Sequence, residues 1–287
     1  MAVYKRTYKA FDGALTPGWS RFLILPRSSF GQVTQSKFVM VYLMACFFFP
    51  LLCAVFIYIS HNVAFLQTFN IPAARLFAID NKFFEFFCTF QGTMASLLTA
   101  FIGPQRVAPD LANNALPLYF CRPFTRAEYV LGKMSLLVYF LSLITWMPGL
   151  VVFIIQASLA GWQWTRDNAW ILGSLLLGLM LWDLFLSLMA LALSAWVKWR
   201  IAAGALILGV FFAGAGFGSA VNAIVRTSYG SLLDLRQVIS VIWAHLFRDV
   251  SATAEISAGA AWGALAGAAA VCLWLLARRI RAFEVAR

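Results

Sequence analysis

Apolar residues come in six long runs separated by shorter, more polar segments. The runs cover 38–60, 83–102, 131–156, 170–196, 201–221 and 257–277. A helix rises 1.5 Å per residue and needs about 20 apolar residues to cross the hydrocarbon of a bilayer. The pattern therefore predicts an all-α polytopic membrane protein with six transmembrane helices spread over 38–277. Pro50 falls inside the first run and Pro148-Gly149 inside the third, where each is expected to distort its helix. Segment 157–169, with Trp162 and Trp164, is expected to be a short aromatic connection at the interface.

Two stretches outside the runs also carry helical periodicity. Residues 1–37 mix Trp19, Phe22, Leu23 and Phe30 with Arg21, Arg27 and Lys37, which suits an amphipathic segment lying in the headgroup layer. The first apolar run begins only at 38, so no cleavable leader is expected. Between the fifth and sixth runs, Leu232, Leu235, Ile239, Ile242 and Leu246 recur at helical spacing. Asp234, Arg236, His245 and Arg248 interrupt them, which predicts an amphipathic or re-entrant helix on the outer side rather than another span.

Composition agrees with lipid as the solvent. The 287 residues are 62% hydrophobic and 11% charged, with mean hydropathy +0.83, against about 25% charged in soluble domains. A net charge of +11 would fit nucleic acid, but the pattern assigns it to topology. Sixteen of the 22 Lys and Arg lie in 1–37, in 103–133, at the Lys198–Arg200 turn and in the tail 278–287. The positive-inside rule then places both termini and segment 103–133 in the cytoplasm. Cys46, Cys53, Cys88, Cys121 and Cys272 form no C-x-x-C pair and read as small core residues, with neither a disulfide framework nor a metal site.

Segment 103–133 is the one long insertion dense in charge, proline and helix signals. Asp110 follows Pro109 in a helix-competent run, where a carboxylate suits the first turn. Asn113 and Asn114 break the apolar pattern. Arg122-Pro123 bends the chain, and Thr125 with Glu128 has capping-box spacing. The helix they start runs through Tyr129 and Lys133 into the third apolar run. An elbow joined to the second and third spans can carry a push from the membrane surface into both.

Other candidates lie in the spans. Gly214 with Gly218, and Gly259, Gly263 and Gly267, recur every four residues, letting backbones approach closely within the chain or at a dimer seam. Asp183 stands alone in an apolar run; it is either a substrate or ion contact or a tie to a neighbouring helix. No G-x-x-x-x-G-K-[ST] occurs, so the chain is expected to be no enzyme and to bind no cofactor of its own.

The run PDLANNALPLYFCRPFTRAEYVLGK resembles the region between the second and third spans of type-2 ABC exporter permeases, matching at Pro123, Arg126, Glu128, Tyr129, Gly132 and Lys133. Many members carry Glu near the start of this segment, where this chain has Asp110. The resemblance implies a coupling helix that docks on a separate nucleotide-binding ATPase, with Asp110, Asn113, Asn114, Arg122, Pro123, Arg126, Glu128, Tyr129 and Lys133 at or near the interface. It also implies that the partner binds ATP and Mg, that a second permease copy pairs in the membrane, and that the site of action is the bacterial plasma (inner) membrane. An ion-coupled secondary carrier and a non-transporting membrane scaffold are the alternative readings.

Overall fold

The computed structural model describes residues 26, 30–31, 33–62, 78–104, 110, 113, 125–197, 199–249 and 256–279. The expectations for Asn114, Arg122, Pro123, Lys198, the tail beyond Arg279 and most of 1–37 lie outside them. Among the described residues every regular element is helical: α1 (Lys37–His61), α2 (Asn81–Ile102), α3 (Arg126–Ile144), α4 (Trp146–Ala160), α5 (Trp162–Ser194), α6 (Arg200–Val225), a 3-10 turn (Tyr229–Leu233), α7 (Leu235–Leu246) and α8 (Ala258–Arg279).

Five helices are long and apolar enough to cross a membrane: α1, the α3–α4 pair, α5, α6 and α8. They mark a multi-pass helical membrane protein. The 22-residue α2, the second of the six expected spans, is not among the five. It carries Glu85, Thr89, Gln91, Thr93, Ser96 and Thr99; of these Gln91, Ser96 and Thr99 are buried against protein, while Thr89 and Thr93 are exposed. It sits against α1, α3, α5, α6 and α7, so much of it meets protein.

At the centre is α5, which packs against α2, α3, α4, α6, α7 and α8. Trp182, Asp183, Leu186 and Ala190 on it are all buried. By contrast α1 turns Met44, Phe48, Leu51, Val55 and Tyr58 outward, a stripe at helical spacing that faces lipid. The four described free cysteines are buried, as expected of small core residues. From the N-terminal segment, Phe30 stacks on Phe140 at 5.5 Å and Val33 is buried.

One expected loop is helix instead. The aromatic connection assigned to 157–169 shrinks to Gly161, whose φ of +90° turns the chain between α4 and α5. Only glycine adopts this conformation without strain. The polar Gln163, Arg166, Asp167 and Asn168 then extend α5 to 33 residues, or about 50 Å, well past the ~30 Å hydrocarbon layer. Hydropathy located the apolar core of this helix and left its wetted end as loop.

The segment after α6 forms a hairpin. The 3-10 turn runs back along α6, with the Gly230 carbonyl against Gly218 and the Leu233 carbonyl against Gly214. A side chain at either α6 glycine would strike backbone. Gly214 lies eleven residues before the end of α6, so the hairpin dips about 16 Å before turning. Then α7, capped by the Asp234 carboxylate on the Arg236 N–H at 3.0 Å, climbs back. The Phe247 carbonyl accepts from Asn81 Nδ2 at 2.8 Å, the Leu246 carbonyl accepts from Ser174 Oγ at 2.8 Å, and Arg248 lies over the Trp170 ring at 4.4 Å. The amphipathic pattern named the helix; the glycine pair set its depth.

Candidate functional site

Two of the elbow's described residues meet on the carboxylate of a third, Asp110. Thr125 caps α3: its Oγ1 accepts from the Glu128 N–H at 3.2 Å, and Glu128 Oε2 accepts from the Thr125 N–H at 2.6 Å. This is the reciprocal box that the spacing predicts. With α3 started at Arg126, Tyr129 and Lys133 stand one turn apart on the same face. Both reach Asp110. The Tyr129 hydroxyl donates to Asp110 Oδ2 at 2.7 Å, and Lys133 Nζ lies 2.9 Å from the same oxygen. The Lys133 ammonium also sits 5.7 Å from the Tyr129 ring centre.

Burial divides the sequence-predicted elbow residues into two groups. Tyr129 is 0% and Lys133 6% exposed, so they act inside the chain as a clasp holding the elbow to α3. A buried ammonium needs its counter-charge, and Asp110 supplies it. Arg126 and Asn113 are exposed. Sequence spacing brought these positions together as a motif without showing which face inward.

A second polar cluster lies deeper, where α3 breaks into α4 at Thr145 (φ −101°, ψ −93°). In a continuous helix the Ile144 carbonyl would accept from the N–H of residue 148, and the Cys46 carbonyl on α1 from that of residue 50. Both positions are proline, which has no N–H. Gln91 on α2 supplies both: its Nε2 donates to Ile144 O at 2.6 Å and to Cys46 O at 3.3 Å. The amide group has two hydrogens, one for each carbonyl left open by a proline. This residue escaped the sequence reading. Its signal was an amide deep in a span of a chain that also carries two mid-span prolines.

Asp183 joins the same break from α5. It is 1% exposed, and its Oδ2 lies 2.7 Å from Thr145 Oγ1. Thr145 Oγ1 also lies 2.8 Å from the Leu141 carbonyl. Oδ2 thus ties α5 to the break, while Oδ1 is buried with no partner among the described residues. Asp183→Asn keeps an oxygen for Thr145 and should shift the unfolding midpoint in detergent by the equivalent of under about 1 kcal/mol. Asp183→Leu should cost more; equal costs would show that the Thr145 bond is not what matters.

The glycine candidates separate too. Gly214 and Gly218 are close-approach positions within the chain. At Gly259, Gly263 and Gly267 an added Cβ would have no heavy atom within 4 Å among the described residues. The reason is the rotation of α8, which buries Ala261, Leu265, Cys272 and Leu276 instead. Of the described residues, no group of three His, Cys, Asp or Glu is placed to hold a metal. No family model matches this chain, and no curated protein matches it.

Proposed function

We propose that this chain is the membrane-spanning permease subunit of an ABC exporter. Six helices cross the bacterial plasma membrane, α2 being the sixth, with both termini and the elbow in the cytoplasm. Two copies, or this chain and a related permease, pair in the membrane, and each elbow docks on a separate ATPase that binds ATP and Mg. ATP-driven motion of the ATPases presses the elbows and switches the bundle between states.

The observation that carries this reading is the clasp of Asp110 on Tyr129 and Lys133. A loosely tethered loop would absorb a push. A loop pinned by a buried ion pair to the first turns of α3 passes it along the helix to the break at Thr145, where Gln91 and Asp183 connect α1, α2 and α5. The ion-coupled carrier reading has less support, because Asp183 is the one acid buried deep in the described spans and its Oδ2 is held by Thr145.

The test separates docking from transmission. Arg126→Glu should lower the amount of a Walker-motif ATPase that co-purifies in stoichiometric ratio, without disturbing membrane insertion. Lys133→Met should leave docking largely intact and uncouple ATP hydrolysis from transport. A cysteine placed at Asn113 should react with impermeant reagent only after the cytoplasmic face is opened. Labelling of Asn113→Cys in intact cells, or unchanged ATPase recovery with Arg126→Glu, would overturn the assignment.

A further inference from the structure

A groove of about 160 Å³ runs between α2, α6 and α7 with α5 at its floor. Its lining is mostly apolar, with a row of hydroxyls along one side. On α2, Thr89, Thr93 and Ser96 follow one another on one face. Each hydroxyl already donates its hydrogen to its own helix, to Glu85 O at 3.0 Å, Thr89 O at 2.8 Å and Gly92 O at 2.9 Å. Across the groove on α7, Ser240 does the same to Gln237 O at 2.8 Å. What these hydroxyls offer an occupant is lone pairs, so the occupant must bring hydrogen-bond donors.

Two further features narrow the chemistry. Arg236 lines the groove from the first turn of α7. Its one described counter-charge, Asp234, lies 3.7 Å from Nε, and the guanidinium fork suits a second, anionic oxygen acceptor. On the open side stands Phe212 of α6, 72% exposed, while the edge-to-face rings of Trp182 and Trp243 close the floor. The space is smaller than the ~300–1,000 Å³ sites that engulf drug-sized molecules, so it takes a headgroup and leaves acyl chains outside among the apolar side chains.

We propose that this groove binds the headgroup of an anionic, hydroxyl-bearing membrane lipid, such as one ending in glycerol phosphate. The lipid's hydroxyls donate to the Thr89, Thr93, Ser96 and Ser240 oxygens, its phosphate meets Arg236, and its tails lie along Phe212. The assignment stands whether or not the chain is a transporter, because it rests on the groove alone.

The experiment is a titration of the purified full chain in neutral detergent, reading the thermal unfolding midpoint and bound lipid by native mass spectrometry. Phosphatidylglycerol should bind and stabilise. Phosphatidylcholine, which has neither hydroxyl donors nor net charge, should not, and phosphatidic acid, which lacks the glycerol, should bind more weakly. Free glycerol phosphate, without tails, should have no effect. Arg236→Gln should weaken phosphatidylglycerol binding about tenfold or more, the worth of a hydrogen bond to a charged group. Thr89→Val/Thr93→Val should erase the preference over phosphatidic acid, and Arg166→Gln should change nothing. The proposal fails if wild type does not distinguish phosphatidylglycerol from phosphatidylcholine, if free glycerol phosphate serves equally well, or if all the variants bind as wild type does.

Discussion

Gln91→Leu is expected to lower the unfolding free energy by about 2–4 kcal/mol, from about 1–2 for each buried carbonyl left without a donor. The volume change is small, so the loss reads out the two hydrogen bonds to Ile144 and Cys46. The stronger form of the prediction is a coupling. Pro148→Ala returns an N–H to the Ile144 carbonyl, and Pro50→Ala returns one to Cys46. In the doubly replaced background the Gln91→Leu cost should shrink to a fraction of its value, because the helices then satisfy themselves. A denaturation series on the four proteins in detergent measures this as a double-mutant cycle. Additive costs would mean that the amide and the prolines are unrelated. The coupling bears on function as well. One side chain ties together two proline-containing helices, so under the proposed function α1, α2 and the α3–α4 pair would move as a group when the elbow is pushed.

Trp243→Ala should cost about 3–5 kcal/mol, the range for deleting a large aromatic from a packed interior. Trp243 is the wedge by which the hairpin helix α7 enters the bundle. Its six-membered ring lies against Gly92 of α2, and Nε1 would be 3.0 Å from a Cβ at Gly178 of α5. The two glycines exist to admit it. Gly92→Ala should therefore be destabilising in the wild type, since the new methyl would overlap the indole. In Trp243→Ala the sign should reverse: the methyl enters the vacated space and alanine favours the helix by up to about 1 kcal/mol over glycine. Comparing unfolding midpoints of the single and double replacements checks both signs. A cost for Gly92→Ala that survives removal of the indole would show that the glycine serves the helix backbone and not the wedge.

Much of this architecture was already legible in the order of residues. Apolar runs located α1, α6 and α8 to within a few residues of their ends, because a span announces itself by length and composition. The Thr125–Glu128 box was legible for a related reason: its partners lie three residues apart, and spacing alone brings them together. Pro148-Gly149 announced the bend, which the structure puts at Thr145. Where signals mixed, reading was harder. The wetted end of α5 looked like a loop because polarity, not helical continuity, governs hydropathy, and α2 looked like an ordinary span although Gln91, Ser96 and Thr99 on it are buried against protein.

By itself, then, the sequence determined that this is a helical membrane protein, where most of its long apolar helices lie, and which pair of residues caps α3. It could not determine which of the elbow's residues face inward, nor that Gln91 answers to prolines about forty and sixty positions away in the chain, nor that Gly92 and Gly178 open a slot for Trp243. Only the tertiary structure decided these. The physical reason is that local signals specify bonds closed within about one helical turn. A polar side chain in an apolar span declares only that it needs a partner, and which partner it finds depends on how the helices pack.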